Sequence, residues 1–506
     1  MNSPLSRRTV LRAMGLGAAG LVLPSSSGAS TLHDVLTLPQ SAFASWVREE
    51  NGRPGDGTWL TGIPAATGNL EGYASTTSAN LGAPVHFFVS ATSPYVTAKI
   101  FRMGYYQGLG ARLVDTVTRV STVAHPISAP DALGTVDCAW PSTFSLEMDS
   151  RYLPGQYLVR LENEQGHFRF IPFLVRDDTS LATYVYLSAV TTWQAYNTWG
   201  GFSLYREADP TGTTILSNAR RAVRVSFNRP YDRNFANGAG DFIGNEFPLL
   251  FMMEKLGLDL AYWSDLDLHE RGPALLRHRA LLSLGHDEYY SPAMRDAVTN
   301  ALHHGVNVAF FGANFCYRKI RFEPSVNGVN RLMVNYRSTA DPITATNPSL
   351  ATVNWSDYPS NQPESTFSGS IYGGAQGTGA LTVIGAGEWL WRGTKLHTGA
   401  VLANALGGEF NHVASPTTST APVEIFGQSR VAGGTSNVTY YAPPGEGGVF
   451  CSGTGYWIYR LSNAPRLGNR WIPDALPGVT GPLSVATHNV LALFAQGPAG
   501  DVRPSR

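Results

Sequence analysis

Two short apolar runs, 280–284 and 306–311, each give way at once to polar, hydrogen-bonding residues. Runs of this length fit buried strands. Gly285-His286-Asp287-Glu288-Tyr289-Tyr290 follows the first, and Gly312-Ala313-Asn314-Phe315-Cys316-Tyr317 follows the second. Between them Met294, Ala297, Val298, Ala301 and Leu302 recur at helical spacing, with Ser291 placed to cap the start and Gly305 to stop the end. The pattern predicts strand, helix, strand. In an open parallel sheet, ligands bind beyond the carboxyl ends of the strands, which is where both polar clusters fall.

The pattern extends in both directions. Residues 184–190 and 259–263 read as two earlier strands, and 247–256 as a helix ended by Gly257. Strands alternating with helices predict a doubly wound α/β domain. Upstream, β-branched and aromatic runs at 85–90, 96–102, 144–148, 157–162 and 168–175 are separated by Gly, Pro, Asn and Asp. They predict an immunoglobulin-like β-sandwich over 59–177, with Asp177-Asp178-Thr179-Ser180 as the seam. Past Phe322 the periodicity fades. Residues 347–376 read as long surface loops, 380–385, 448–451 and 456–460 as strands, and 482–496 as a closing helix. The expected architecture is multidomain: the sandwich, then an α/β domain over 181–496 with β-rich C-terminal additions.

Charge narrows the classes. Among 506 residues, Lys+Arg and Asp+Glu are both 37, which gives no electrostatic case for nucleic acid or an anionic membrane. Only 15% of residues are charged, while Gly 53, Pro 32 and Tyr 22 describe a turn-rich, aromatic-rich folded chain. Cys138, Cys316 and Cys451 are too few for a disulfide framework; three buried thiols are expected, with one disulfide left open. Residues 1–30 read as a twin-arginine export signal: Arg7-Arg8, an apolar stretch at 13–23, then small residues at 25–30. The stretch is shorter than the roughly 20 residues a membrane span needs. No later apolar run is long enough either, so the mature chain is expected outside the cytoplasm without stable membrane insertion. It would be periplasmic, cell-wall-associated or secreted.

Several catalytic motifs are missing. No serine sits in a G-x-S-x-G elbow, no Gly-x-Gly-x-x-Gly follows a strand, and there is no phosphate loop. What is present recurs in a family order: Arg102-Met103-Gly104-Tyr105-Tyr106, Pro172-Phe173-Leu174-Val175-Arg176, Arg224-Val225-Ser226-Phe227-Asn228-Arg229-Pro230-Tyr231, Ser264-Asp265-Leu266-Asp267-Leu268, His286-Asp287-Glu288-Tyr289, Gly407-Gly408-Glu409 and Gly453-Thr454-Gly455-Tyr456-Trp457. Over roughly 71–494 the chain resembles the large (beta) subunit of bacterial N,N-dimethylformamidase and the proteins sharing its C-terminal domain. The resemblance implies a class-I glutamine-amidotransferase-like sheet. It also implies a hydrolase of amide or other C–N bonds, with a small amide-type substrate and a small accessory subunit or a homo-oligomer. The cofactor implied is mononuclear ferric iron held by two tyrosinates and one glutamate. Tyr289, Tyr317 and Glu409 match those three positions, with Glu388 or Tyr336 as alternative ligands. Two departures stand out. Tyr290 and Arg318 stand where the family usually has Trp, and Asn411 stands where an acid is common.

Around these residues, His286 and Glu288 read as acid/base groups or neighbours of the metal, and Asn314 as a group orienting a substrate carbonyl. Other readings stay open. The tyrosines could be packing residues. Asp265, Asp267 and His269 could bind a metal or cap a helix. Cys316 could serve an amide transferase, or the fold could serve an inert exported binding protein.

Overall fold

A strand buried on both faces needs cover on both faces, and Tyr184–Ser188 (β1) is such a strand. Tyr184 and Tyr186 enter one core, Val185 and Leu187 the other. β1 pairs in parallel with Leu260–Ser264 (β2) and Ala280–Ser283 (β3), and β3 pairs in parallel with Asn307–Phe310 (β4). The sheet continues through Ser370–Val383 (β5), Val401–Val413 (β6), Val423–Val431 (β7), Gly434–Tyr441 (β8) and Val449–Cys451 (β9). In this computed structural model, which describes residues 34–415, 419–431, 433–461 and 480–506, the order is β2-β1-β3-β4-β9-β8-β7-β5-β6. The first five strands are parallel and the last four antiparallel. Strand order reverses between β1 and β3, the switch point at which such sheets leave a crevice. The export signal expected at 1–30 lies outside the described residues.

Helices cover both faces. Val190–Tyr196 (α1), Phe247–Leu256 (α2) and Thr480–Phe494 (α5) pack with Tyr184 and Tyr186, whereas Asp265–Arg271 (α3) and Pro292–His303 (α4) pack with Val185 and Leu187. The caps are those the sequence announces. Ser291 Oγ accepts from Met294 N at 3.2 Å, and α2 ends on Gly257 at φ 72°, a left-handed turn that glycine adopts without a Cβ penalty.

Upstream, two sheets share a further core. One contains Tyr95–Met103, Ala111–Ser121, Gly155–Asn163 and His167–Arg176; the other contains Leu70–Ala74, Pro84–Ala91 and Phe144–Glu147. Val85, Phe87, Ile100, Val159 and Phe173 fill the space between them. This unit is tied to α2 by a buried ion pair, Arg102 Nη2 to Glu254 Oε1 at 2.8 Å. The molecule is therefore multidomain and β-rich, with several sheets and few helices.

Three expected elements differ. Residues 456–460 are not a strand: Ile458–Arg460 is a single 3₁₀ turn, buried on every side without the alternation a strand needs. Residues 347–376 are surface loops only in part: 347–350 and 356–363 are exposed or half-buried turns, whereas Trp355 and Phe367 enter the core and buried Glu364 accepts from Tyr372 N at 2.7 Å. The strand expected at 380–385 is the end of the longer β5, held by backbone pairing with β6 that its Gly-rich pattern hides.

Candidate functional site

Two glycines let the turns beyond β3 and β4 approach each other. Gly285 has φ 65°, and a Cβ on Gly312 would lie 1.7 Å from Gly285 O. Past this crossing the turns are stitched together: Cys316 N donates to Asp287 O and Tyr317 N to Glu288 O, both at 2.9 Å. Tyr289–Tyr290 then pairs in parallel with Arg318–Lys319. Asn314 and Cys316 sit at φ 54° and 48°. Left-handed backbone is uncommon for such residues and clusters at functional sites.

This scaffold brings His286 to Glu409 of β6. His286 Nε2 is 2.8 Å from Glu409 Oε2 and 3.6 Å from Glu288 Oε2. Asn314 Nδ2 donates to Glu409 Oε2 at 2.9 Å, and Asn314 N donates to Asn411 Oδ1 at 2.7 Å. The other carboxylate oxygen, Glu409 Oε1, accepts from Gln376 Nε2 at 3.0 Å and Tyr372 Oη at 3.3 Å. Glu288 in turn accepts from Tyr196, Tyr205 and Arg318.

Burial pulls the His286 imidazole down, but Glu409, its hydrogen bond and Glu288 outweigh it and raise the ring to about 9. Burial pushes Glu409 up, and the imidazolium and its hydrogen bonds more than reverse this, leaving the carboxyl below its ordinary range. The pair is thus an imidazolium facing a carboxylate at neutral pH.

His286 and Glu409 open onto a pocket of about 460 Å³, lined also by Tyr196, Tyr205, Asn245 and Tyr456. It lies beyond the carboxyl end of β3, beside the switch point. Its size is within the range of small-molecule sites, about 300–1,000 Å³.

The family N,N-dimethylformamidase beta subunit-like, C-terminal matches residues 97–469, most of the 506. The chain belongs to this family. No curated protein matches it. Among solved structures, a cycloisomaltooligosaccharide glucanotransferase from Paenibacillus sp., complexed with cycloisomaltoheptaose, is 10% identical over 55% of this chain, with a TM-score of 0.16. The chain spans 35% of that protein's length, and so remote a likeness carries no argument.

Against this dimethylformamidase-like background, the iron expected from the resemblance can be tested on the donors. Tyr289 Oη accepts from Arg337 Nη2 at 2.8 Å. Burial, only partly offset by Arg337, pushes this phenol up to about 12, so it is neutral. Tyr317 makes no hydrogen bond to Tyr289 or Glu409; its ring meets Tyr372 edge-on at 5.3 Å. Both Glu409 oxygens are already taken by the four donors above. An iron here would need these three oxygens to converge as anions; in this structure Tyr289 Oη faces Arg337 and Glu409 faces His286. Among the described residues no group of three or more His, Cys, Asp or Glu could hold a metal ion.

The remaining candidates separate cleanly. Asp267 caps α3, accepting from Ser264 N at 2.7 Å, and Asp265 accepts from Thr191 N at 3.0 Å. Glu388 lies elsewhere, half-exposed and paired with Arg503 at 3.1 Å. The ring of Tyr336 lies under Arg321 at 6.0 Å. Cys316 is buried, and burial raises its thiol to about 12 despite Arg295, so it offers no thiolate nucleophile. One of the two amide N–H groups of Asn314 is engaged by Glu409.

Sequence reasoning missed Tyr196, Tyr205, Tyr372, Gln376 and Arg337. Tyr196 ends α1, the segment directly after β1, so the strand-end rule applied to β3 and β4 would have reached it. The others come from connections and a Gly-rich strand with no local signal.

Proposed function

We propose that this protein hydrolyses amide or other C–N bonds of a small ligand, with His286 and Glu409 moving the protons. The observation that carries the reading is the 2.8 Å His286–Glu409 contact on the wall of the pocket, in a chain of a dimethylformamidase-like family. The ionic form of the pair suits general acid–base work on a neutral amide. Water attacks the carbonyl carbon and gives one proton to Glu409. The imidazolium gives its proton to the nitrogen as the C–N bond breaks. The proton on Glu409 then returns to the imidazole, leaving a carboxylic acid and an amine. Asn314, Tyr372 and Gln376 hold the carboxylate, and Glu288, 3.6 Å from the same ring nitrogen, adds a second negative charge beside the imidazolium and is itself positioned by Tyr196 and Tyr205. The reading extends to a sandwich of immunoglobulin type upstream, a glutamine-amidotransferase-like sheet at the site, and export by the twin-arginine route. An accessory subunit or self-association belongs to the same reading.

The test is amine release from a panel of N-alkyl formamides and larger N-substituted amides. Release that falls by about 10²-fold or more in Glu409→Gln supports the reading, since acid–base catalysis contributes about 10²–10⁴-fold. No release from any amide would sink it.

A further inference from the structure

A groove of about 300 Å³ opens on the seam between the upstream unit and the α/β domain. It shares no lining residue with the pocket of His286 and Glu409. Asp177 and Asp178 line it from the seam, Trp263 from β2, Arg271 from α3, and Arg277 and His278 from the connection to β3. His278 and Trp263 are buried, at 5% and 3% exposure, and their rings meet edge-on at 5.7 Å. His278 Nδ1 lies 2.7 Å from Ala182 O. A carbonyl only accepts, so Nδ1 carries the hydrogen. Burial lowers the imidazole more than this bond raises it, so the ring is neutral at pH 7 with its lone pair on Nε2. Among the described residues Nε2 meets no donor and Trp263 Nε1 meets no acceptor. Buried polar groups rarely stand without partners.

The charged groups of the groove also keep open donors and acceptors. Arg271 has Asp178 Oδ2 and Asp267 Oδ1 at 3.6 Å and Glu270 Oε2 at 3.9 Å, distances too long for hydrogen bonds. Arg277 donates Nε to Ala274 O at 3.4 Å, and its two terminal nitrogens make no hydrogen bond among the described residues. Asp178 is engaged by Arg176 Nε at 2.7 Å. Asp177 uses only Oδ1, which accepts from Thr179 N at 2.9 Å and Thr179 Oγ1 at 2.6 Å. Its Oδ2 accepts nothing among the described residues.

We propose that this groove binds a zwitterionic ligand of amino-acid size, its carboxylate taken by Arg271 and Arg277 and its ammonium by Asp177 and His278 Nε2. The planar guanidinium fork matches a carboxylate with paired N–H donors. An ammonium has three N–H donors and no acceptor, which suits a carboxylate oxygen and a bare imidazole nitrogen lining one space. The volume is at the lower end of the about 300–1,000 Å³ of small-ligand sites, which suits one amino acid. Asp177 directly follows the last strand of the upstream unit, whereas Arg271 and His278 belong to the α/β domain, so the ligand bridges the seam. The site does not rest on the hydrolase reading, because neither the His286–Glu409 pair nor amide chemistry enters it.

The experiment is thermal unfolding of the full chain with each standard L-amino acid at constant ionic strength, followed by calorimetry of those that act. At least one is expected to bind the native protein and raise its Tm, as a ligand specific to the folded state does. Its methyl ester lacks the carboxylate and its N-acetyl form lacks the ammonium. Each should bind about tenfold or more weaker, as loss of a hydrogen-bonded charge does. Arg271→Gln, on the rim of the groove, should weaken binding of the free amino acid as much. His278→Asn should do so too, since it keeps an N–H for Ala182 O and removes the acceptor. Glu409→Gln, in the other pocket, should bind as the native protein does. Failure of every amino acid to raise the Tm overturns the proposal. So does equal binding of the ester or the N-acetyl form, or binding unchanged in Arg271→Gln and His278→Asn. Loss of binding in Glu409→Gln places the ligand in the other pocket and overturns it as well.

Discussion

His286 Nε2 lies 2.8 Å from Glu409 Oε2, so the turn after a central parallel strand meets a residue from the antiparallel edge of the same sheet. The contact joins two parts of the chain that share no local motif, and it sets the charge state of both groups. If Glu409 holds the proton on His286, Glu409→Gln should drop the imidazole well below about 9, because burial then acts with less opposition. NMR titration of the histidine ring, compared with His286→Asn for assignment, checks this. An unchanged titration would show that the pair does not control the ring.

The pair also predicts a pH window for stability. His286 is raised in the folded state, so its contribution is fully present below about 6.5 and is lost as pH rises through about 9. Glu409 is lowered, so its contribution is present above its ordinary 4.5 and is lost as pH falls through the depressed value. Urea unfolding of the native protein should therefore weaken between pH 6.5 and 9, and His286→Asn should flatten that limb. An equal slope in both proteins would count against the assignment.

Arg102 and Glu254 tie the upstream sheets to α2, and both side chains are fully buried. Removing one partner strands the other charge in the interior, at a cost of about 3–5 kcal/mol. Glu254→Gln should lose that much by equilibrium urea unfolding, and should do so without changing the His286 titration. A loss below about 1 kcal/mol would mean that water or Tyr262 takes over the vacant partner's role.

The fold was legible where apolar runs were short and caps were explicit. The strands at β1 to β4, the helix stopped by Gly257 and the helix capped by Ser291 follow from periodicity and capping chemistry. The turns holding His286, Glu288 and Asn314 follow from the strand-end rule. What the sequence hid was held by other means. β5 and β6 pair through backbone groups in Gly-rich chain, so no side-chain period marks them. Trp355 and Phe367 are buried inside a Ser/Thr-rich segment whose polar side chains bond its own backbone. Tyr289, Tyr317 and Glu409 could be named by resemblance, but their hydrogen-bond partners could not. Arg337 reaches Tyr289 from a connection with no recognisable pattern. The pairing of His286 with Glu409 needed the sheet order, which sequence alone does not supply.

Export offers a test outside the folded body. Replacing Arg7 and Arg8 with Lys preserves charge but removes the pair the export receptor reads. The variant should accumulate in the cytoplasm while the native chain is exported, judged by cell fractionation. Normal export of the Lys variant would remove the twin-arginine assignment.

Amine release measured across pH is the most direct test of the hydrolase account. Native protein supplied with the best amide of the panel should release amine with a rate that falls as pH rises through about 9, when the imidazolium loses its proton. Glu409→Gln should remove about 10²-fold or more of that rate, with native-like unfolding at neutral pH in urea. A rate unchanged through pH 9, or a Glu409→Gln protein as fast as the native one, would contradict the account.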